Sequence, residues 1–147
     1  MEQLIKQLRV ILGTNFGLYF KSQSFHWNIE GCDFVQYHNF LGDYYLSVYE
    51  NIDGIAEKLR MLNVYAPTNI NEMLTLCDVN FVDNPTLAPK EIFNILLGDN
   101  ERFIIHLKAG IVSADAVQET AISNYLQEIL DQHQKFNWFI RSILKDK

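Results

Sequence analysis

From Phe34 to Leu62 the chain carries one unbroken helical stripe. Phe34, Tyr37, Leu41, Tyr44, Tyr45, Val48, Ile52, Ile55 and Leu59 recur at intervals that line one face of an α-helix. No proline interrupts it. A helix of this length with a wide apolar face has to lay that face against other elements, because a lone helix in water leaves it exposed. The stripe therefore excludes a sheet-based architecture for the middle of the chain and asks the flanking segments for partners.

Those segments supply them. Leu4, Leu8, Ile11, Leu12, Tyr19 and Phe20 give helical spacing over residues 3–26. Gly13 and Gly17 lie inside that helix, lower its propensity and mark a close contact. Asn28 to Cys32 is a polar loop containing Gly31, and Asp33 is placed to cap the second helix. Pro67 closes that region. Asn69-Ile70-Asn71-Glu72 has the form of a capping box and opens a short helix through Cys77. Asp78 to Ala88, with Pro85, is a loop. Pro89 suits the first turn of a third long helix carrying Ile92, Phe93, Leu96, Phe103 and Leu107, which Gly110 and Ser113-Ala114-Asp115 end. A fourth runs from Val117 to Lys145 with Ile122, Tyr125, Ile129, Leu130, Trp138, Ile140 and Ile143. No segment shows sustained strand alternation. The expectation is an all-α four-helix bundle, one domain over 1–147, with a short helix in the long second-to-third connection. That connection, about 26 residues, is too long for a hairpin and can cross the bundle.

A hydrophobic content of 48% suffices for a core, and no apolar run is long enough to span a bilayer. The opening Met1-Glu2-Gln3-Leu4-Ile5-Lys6 lacks the features of a secretory signal, so a cytoplasmic location is expected. Cys32 and Cys77 form no metal-binding or redox pair and are expected as free thiols. The net charge of −6 favours cations and opposes nonspecific binding to nucleic acid.

The chemistry-bearing residues fall in two groups. His26, followed by Trp27-Asn28, stands twelve residues before His38; Asp53 and Glu57 follow, one helical turn apart. Imidazole with carboxylate suits iron, manganese or zinc. Along one helix, however, about 22 Å of rise separates His38 from Asp53. One ion cannot bridge that distance. Either the pairs serve different purposes or they meet across a subunit boundary. Each element has an ordinary reading when taken singly: a solvated acidic face, a partly buried histidine, an aromatic helix end.

The stretch FHWNIEGCDFVQYHNFLGDYYLSVYENIDGIAEKLRML, from Phe25 to Leu62, resembles the Dps family of mini-ferritins. LLGDNERF in the third helix and EILDQHQKFNWFIRSIL in the fourth are similar to that family's later helices. The resemblance implies a ferritin-like bundle assembled as a dodecameric shell that oxidises Fe(II) with O2 or H2O2 and stores ferric iron. It further implies ferroxidase centres at two-fold interfaces, where His26 and His38 match the histidine ligands and Asp53 and Glu57 the carboxylates of a neighbouring subunit. Trp27 matches a tryptophan flanking the centre.

One position departs from the pattern. The family has an aspartate one turn after the second histidine; here that position is Gly42, and the acid is Asp43. A shift of one residue turns a helical side chain by about 100°, so Asp43 does not simply substitute, and the second metal position is expected to be weak. Glu50 is a further carboxylate nearby in sequence. The Glu-x-x-His pairs of ordinary di-iron bundles are absent, since Glu101 and Glu128 precede His106 and His133 by five residues. Those two histidines are expected to be structural or on the surface. Asp115 and Glu119, between the last two helices, are candidates for an iron-entry pore. The alternative to a ferroxidase is a Dps-like shell with an impaired centre, acting as a metal- or nucleic-acid-binding structural protein; the remaining alternative is a bundle whose acids and histidines only pack.

Direct DNA binding is expected to be weak or absent, because Arg141, Lys145 and Lys147 are too few for a strong patch and no lysine-rich stretch precedes the first helix. At neutral pH and physiological salt the purified protein should leave duplex DNA unshifted in a gel. Tight, salt-sensitive retention would show a basic patch created by assembly.

Overall fold

The computed structural model describes residues 1–145. Its elements are α1 (Glu2–Asn28), α2 (Phe34–Met61), the short α3 (Ile70–Leu76), α4 (Pro89–Ala116) and α5 (Thr120–Leu144). No strand occurs among the described residues. α1 packs along both α2 and α4, and α4 along α5. Contacts fix the directions. His26 meets His38 and Asn15 Nδ2 bonds the Val48 carbonyl (2.8 Å), so α2 runs back along α1. Tyr37 lies on Phe93 while Tyr44 bonds Asn100, so α2 and α4 run in the same direction. Successive helices that run in parallel need a crossover, and the segment from 62 to 88 provides it. No helix of the described residues is long and apolar enough to cross a membrane.

The expected apolar stripes face inward. Leu4, Leu8, Ile11 and Leu12 of α1, Leu41, Val48, Ile55 and Leu59 of α2, Phe93, Leu96 and Phe103 of α4, and Leu126 and Ile140 of α5 are buried in one core. The α1–α2 turn depends on Gly31, whose φ of 129° suits no other residue type. The glycines inside α1 do mark a close contact, made with the crossover. A Cβ on Gly13 would lie 2.6 Å from the Leu76 Cβ, and one on Gly17 would strike the Cys77 sulfur and sit 2.8 Å from Val79. The crossover is fastened elsewhere as well. Asn69 Oδ1 accepts from the Glu72 N–H (2.9 Å), as a cap should, while the Glu72 carboxylate pairs with Arg9 of α1. Lys21 Nζ donates both to the Asn80 carbonyl and to Asp99 Oδ2 of α4, each at 2.5 Å. His106 Nε2 meets Asp78 Oδ2 at 2.7 Å.

Three expectations need correction. Asp33 stands at the N-cap of α2, but its side chain makes no capping bond. α4 does not stop at Gly110: it continues to Ala116, and Gly110 is where Ile11 and Leu126 press on the helix, 2.7 and 3.0 Å from a notional Cβ. The last helix starts at Thr120 rather than Val117, because the chain reverses at Gln118 with φ 61°. Tyr44, a member of the expected α2 stripe, is fully buried.

Tyr44 belongs to a polar network inside the core. Its hydroxyl donates to Asn100 Oδ1 (2.8 Å), and His133 Nδ1 donates to the same oxygen (2.6 Å). Asn100 Nδ2 donates to the His133 carbonyl (2.9 Å) and to Asn137 Oδ1 (2.6 Å). His133 Nε2 is left without a partner among the rings of Tyr44, Phe103 and Phe136. Burial disfavours the imidazolium and lowers the His133 pKa from 6.5 to about 3. Below pH 6.5 an unfolded chain takes up a proton that the folded chain refuses. The contribution of His133 is therefore complete above pH 6.5 and is lost as pH falls toward 3, with a slope of up to about 1.4 kcal/mol per pH unit. Denaturant unfolding of wild type and His133→Gln from pH 7 down to 5 should show a shallower acid loss in the variant. Parallel acid limbs would mean that His133 is protonated in the native state.

Candidate metal centre

The α1–α2 hairpin carries the two histidines to one place. His26 lies in the last turn of α1 and His38 in the second turn of α2. Their rings stack with centroids 3.7 Å apart and planes 20° from parallel. Each ring also grips the other helix: His26 Nδ1 bonds the His38 carbonyl at 2.7 Å, and His38 Nδ1 bonds the His26 carbonyl at 2.8 Å. A carbonyl oxygen only accepts, so both Nδ1 atoms carry the hydrogen. Both Nε2 atoms are then bare lone pairs in the neutral rings, the form in which imidazole ligates a metal. The backbone sets the tautomer here, where a carboxylate often does so.

The outer faces are covered by aromatic rings. Phe34 lies 4.9 Å from His38, and Tyr45 meets His26 edge-on at 5.1 Å. Both histidines are partly buried, while Trp27 is 58% exposed. Gly42 is the seat of the His26 ring. A Cβ there would be 3.2 Å from His26 Cε1 and 3.4 Å from Nδ1, a contact tighter than side chains ordinarily make. A side chain at this position would thus press on the imidazole, which would have to give by a few tenths of an ångström. Asp43, the acid one residue on, is exposed.

The carboxylates sit farther along α2. Asp53 and Glu57 are both exposed, and Asp53 lines a shallow hollow with Tyr49, Glu50, Ile52 and Ala56. Their field reaches Tyr125 of α5, whose phenol is pushed up first by burial and then by Glu128, Asp53 and Glu57. About 22 Å of helix rise separates this pair from His38. Among the described residues, no three His, Cys, Asp or Glu side chains of one chain converge on a common point. The structure thus joins His26 to His38 and groups Asp53 with Glu57 on one stretch of α2, and holds the two groups apart.

His133 is the core residue described above, and His106 ties Asp78 of the crossover with help from Arg102 (3.6 Å). Sequence reasoning missed the seat at Gly42, the Tyr45 edge and the paired carbonyl bonds. The spacing of His26 and His38 around a Gly-containing turn was the available signal for the pairing.

The chain matches the ferritin-like domain family over residues 5–147. It is similar to the crystal structure of antigen TpF1 from Treponema pallidum, with a TM-score of 0.94 and 28% identity over 97% of this chain and 92% of that one. A DNA protection during starvation protein of Helicobacter pylori is 24% identical over 86% of this chain and 88% of its own length. A Dps protein from Vibrio cholerae, described as a member of a broad superfamily of ferritin-like diiron-carboxylate proteins, superposes with a TM-score of 0.92 at 17% identity, covering 98% of this chain and 90% of its own; at that identity the likeness shows the fold.

A methyl group at Gly42 should disturb the His26 ring and little else. Gly42→Ala is expected to fold with an unchanged helical spectrum and to bind Fe(II) several-fold more weakly in anaerobic titration. Unchanged affinity would show that the ring can shift without cost.

Proposed function

We propose that this chain, which belongs to the ferritin-like family and within it to the Dps proteins, oxidises Fe(II) at sites shared between two copies of itself and stores the ferric product in a closed shell. The observation that carries the reading is the division of the ligands. At one end of α2, His38 and the His26 that α1 lays on it present two bare Nε2 atoms, the other end presents Asp53 and Glu57, and helix geometry keeps His38 and Asp53 about 22 Å apart. A second copy related by a two-fold axis brings a histidine end against a carboxylate end, and does so twice, which is the isologous arrangement. The twelve-subunit shell belongs to the same proposal. Trp27, Phe34, Val35, Tyr49 and Trp138 are large apolar side chains exposed on the single chain, as expected of faces that a neighbour covers.

In this reading Fe(II) is the substrate. His26 and His38 bind it through Nε2, and Asp53 and Glu57 of the other subunit complete the site with anionic oxygen. Hard anionic ligands favour the ferric product, so the site lowers the cost of losing the electron to O2 or H2O2. Consuming peroxide in this way would protect DNA indirectly, inside the cytoplasm, without contact. The second reading is a shell whose impaired centre binds metal or nucleic acid without turnover. Gly42 is the observation that favours it, because it supplies no carboxylate for a second metal.

Mixed shells test the proposal. Asp53→Ala with Glu57→Ala in one chain and His26→Ala with His38→Ala in another should each oxidise Fe(II) slowly. Shells reassembled from both, confirmed by native mass, should recover part of the rate, because some interfaces then unite an intact histidine end with an intact carboxylate end. Reassembly without recovery removes the shared site, and a protein that stays monomeric removes the shell.

A further inference from the structure

The aromatic rings between the two ends of α2 form a continuous row. His26 meets Tyr45 edge-on at 5.1 Å between centroids, and Tyr19 packs at a tilt against Tyr45 at 6.4 Å and against Tyr49 at 5.1 Å. Tyr49 stands one turn before Asp53 and lines the same hollow. All three separations lie in the range of directly packed aromatic pairs. The row thus begins on a histidine ligand and ends beside a carboxylate ligand of the same chain. Under the shared-site reading, on which this inference rests, those ligands belong to two different iron sites of one dimer.

Chemistry gives such a row a task. Gly42 provides no carboxylate for a second iron, so each site holds one Fe(II) firmly and offers one electron. Hydrogen peroxide needs two electrons to become water. Given only one, it yields hydroxide and a free hydroxyl radical. We infer that Tyr45, Tyr19 and Tyr49 conduct an electron between the two sites of a dimer, so that two single irons act as one two-electron donor. In the first step Fe(II), a tyrosine, H2O2 and one proton give Fe(III), a neutral tyrosyl radical and two waters. The phenolic proton ends in one of the two waters, so only one more is drawn from solvent. In the second step the tyrosyl radical, the Fe(II) of the other site and one proton restore the tyrosine and give the second Fe(III). The sum is two Fe(II), one H2O2 and two protons giving two Fe(III) and two waters.

The test uses the assembled protein loaded anaerobically with one Fe(II) per site and mixed with half an equivalent of H2O2. Wild type should form two Fe(III) per peroxide, release little radical to a spin trap, and show a transient tyrosyl signal in freeze-quenched electron paramagnetic resonance. Ring-deuterated tyrosine should narrow that signal, which separates it from a radical on Trp27. Tyr19→Phe keeps the ring and touches no proposed ligand. It should bind iron normally, lose the tyrosyl signal, fall toward one Fe(III) per peroxide and release several-fold more trapped hydroxyl radical. Tyr45→Phe breaks the row at a second point and should do the same if Tyr19→Phe assembles poorly. An unchanged yield and trap signal in both variants overturns the relay and leaves the ferroxidase reading standing. Two firmly bound irons per site in the anaerobic titration also overturn it, since the second electron is then local. Wild type that binds no Fe(II), or oxidises it no faster than buffer, overturns the ferroxidase reading itself, and the relay with it.

Discussion

A straight α-helix has a fixed rise, and α2 cannot fold back on itself. That constraint governs what the rest of the molecule can do. The sequence places histidine partners at one end of α2 and acids toward the other, and backbone hydrogen bonding then holds them apart more firmly than any side-chain contact could. α1 follows α2 antiparallel and lays His26 on His38. α4 runs parallel to α2, which requires a crossover, and that crossover is what presses on Gly13 and Gly17. The fold and the separation of the histidines from the carboxylates both descend from one rigid element.

The core keeps this arrangement in register with polar contacts as well as oil. Lys21 and Asp99 are buried together, and Asp99 has its pKa raised by burial despite the cation beside it. Such a pair adds little net stability, because taking both charges out of water offsets their attraction. It does specify position: the same ammonium binds the Asn80 carbonyl, so α1, α4 and the crossover share one point. Asn100 does similar work for α2, α4 and α5 through Tyr44, His133 and Asn137. A sliding helix would strand these groups without partners, a penalty of about 1–3 kcal/mol for each.

The long helices were legible because burying one face imposes a repeat on the residues, and Leu41, Val48, Ile55 and Leu59 display it openly. Helix ends were less so. Gly110 looks like a stop in a string of letters, yet it is a flat place where Ile11 and Leu126 press in, and only the neighbouring helices can reveal that. The reversal at Gln118 uses a left-handed backbone without the glycine that usually announces it. At the site, residue identity was visible while orientation was not. His26 and His38 stand out by spacing, but the groups that hold them are backbone carbonyls, which every residue owns and no sequence marks. Gly42 could be seen as a ligand not present; that it is also the floor under an imidazole required coordinates.

The paired carbonyl bonds have a thermodynamic side. Each histidine clasps the helix that carries the other, so the same two rings that offer Nε2 outward also stitch α1 to α2. Anything that engages both Nε2 atoms selects the conformation in which both rings are clasped, and by linkage it must tighten the hairpin by as much as the hairpin tightens it. The resting hairpin is thus pre-ordered for such a ligand. Its order at this end is set in advance by the two clasps, and a ligand that leaves gives back only what it added.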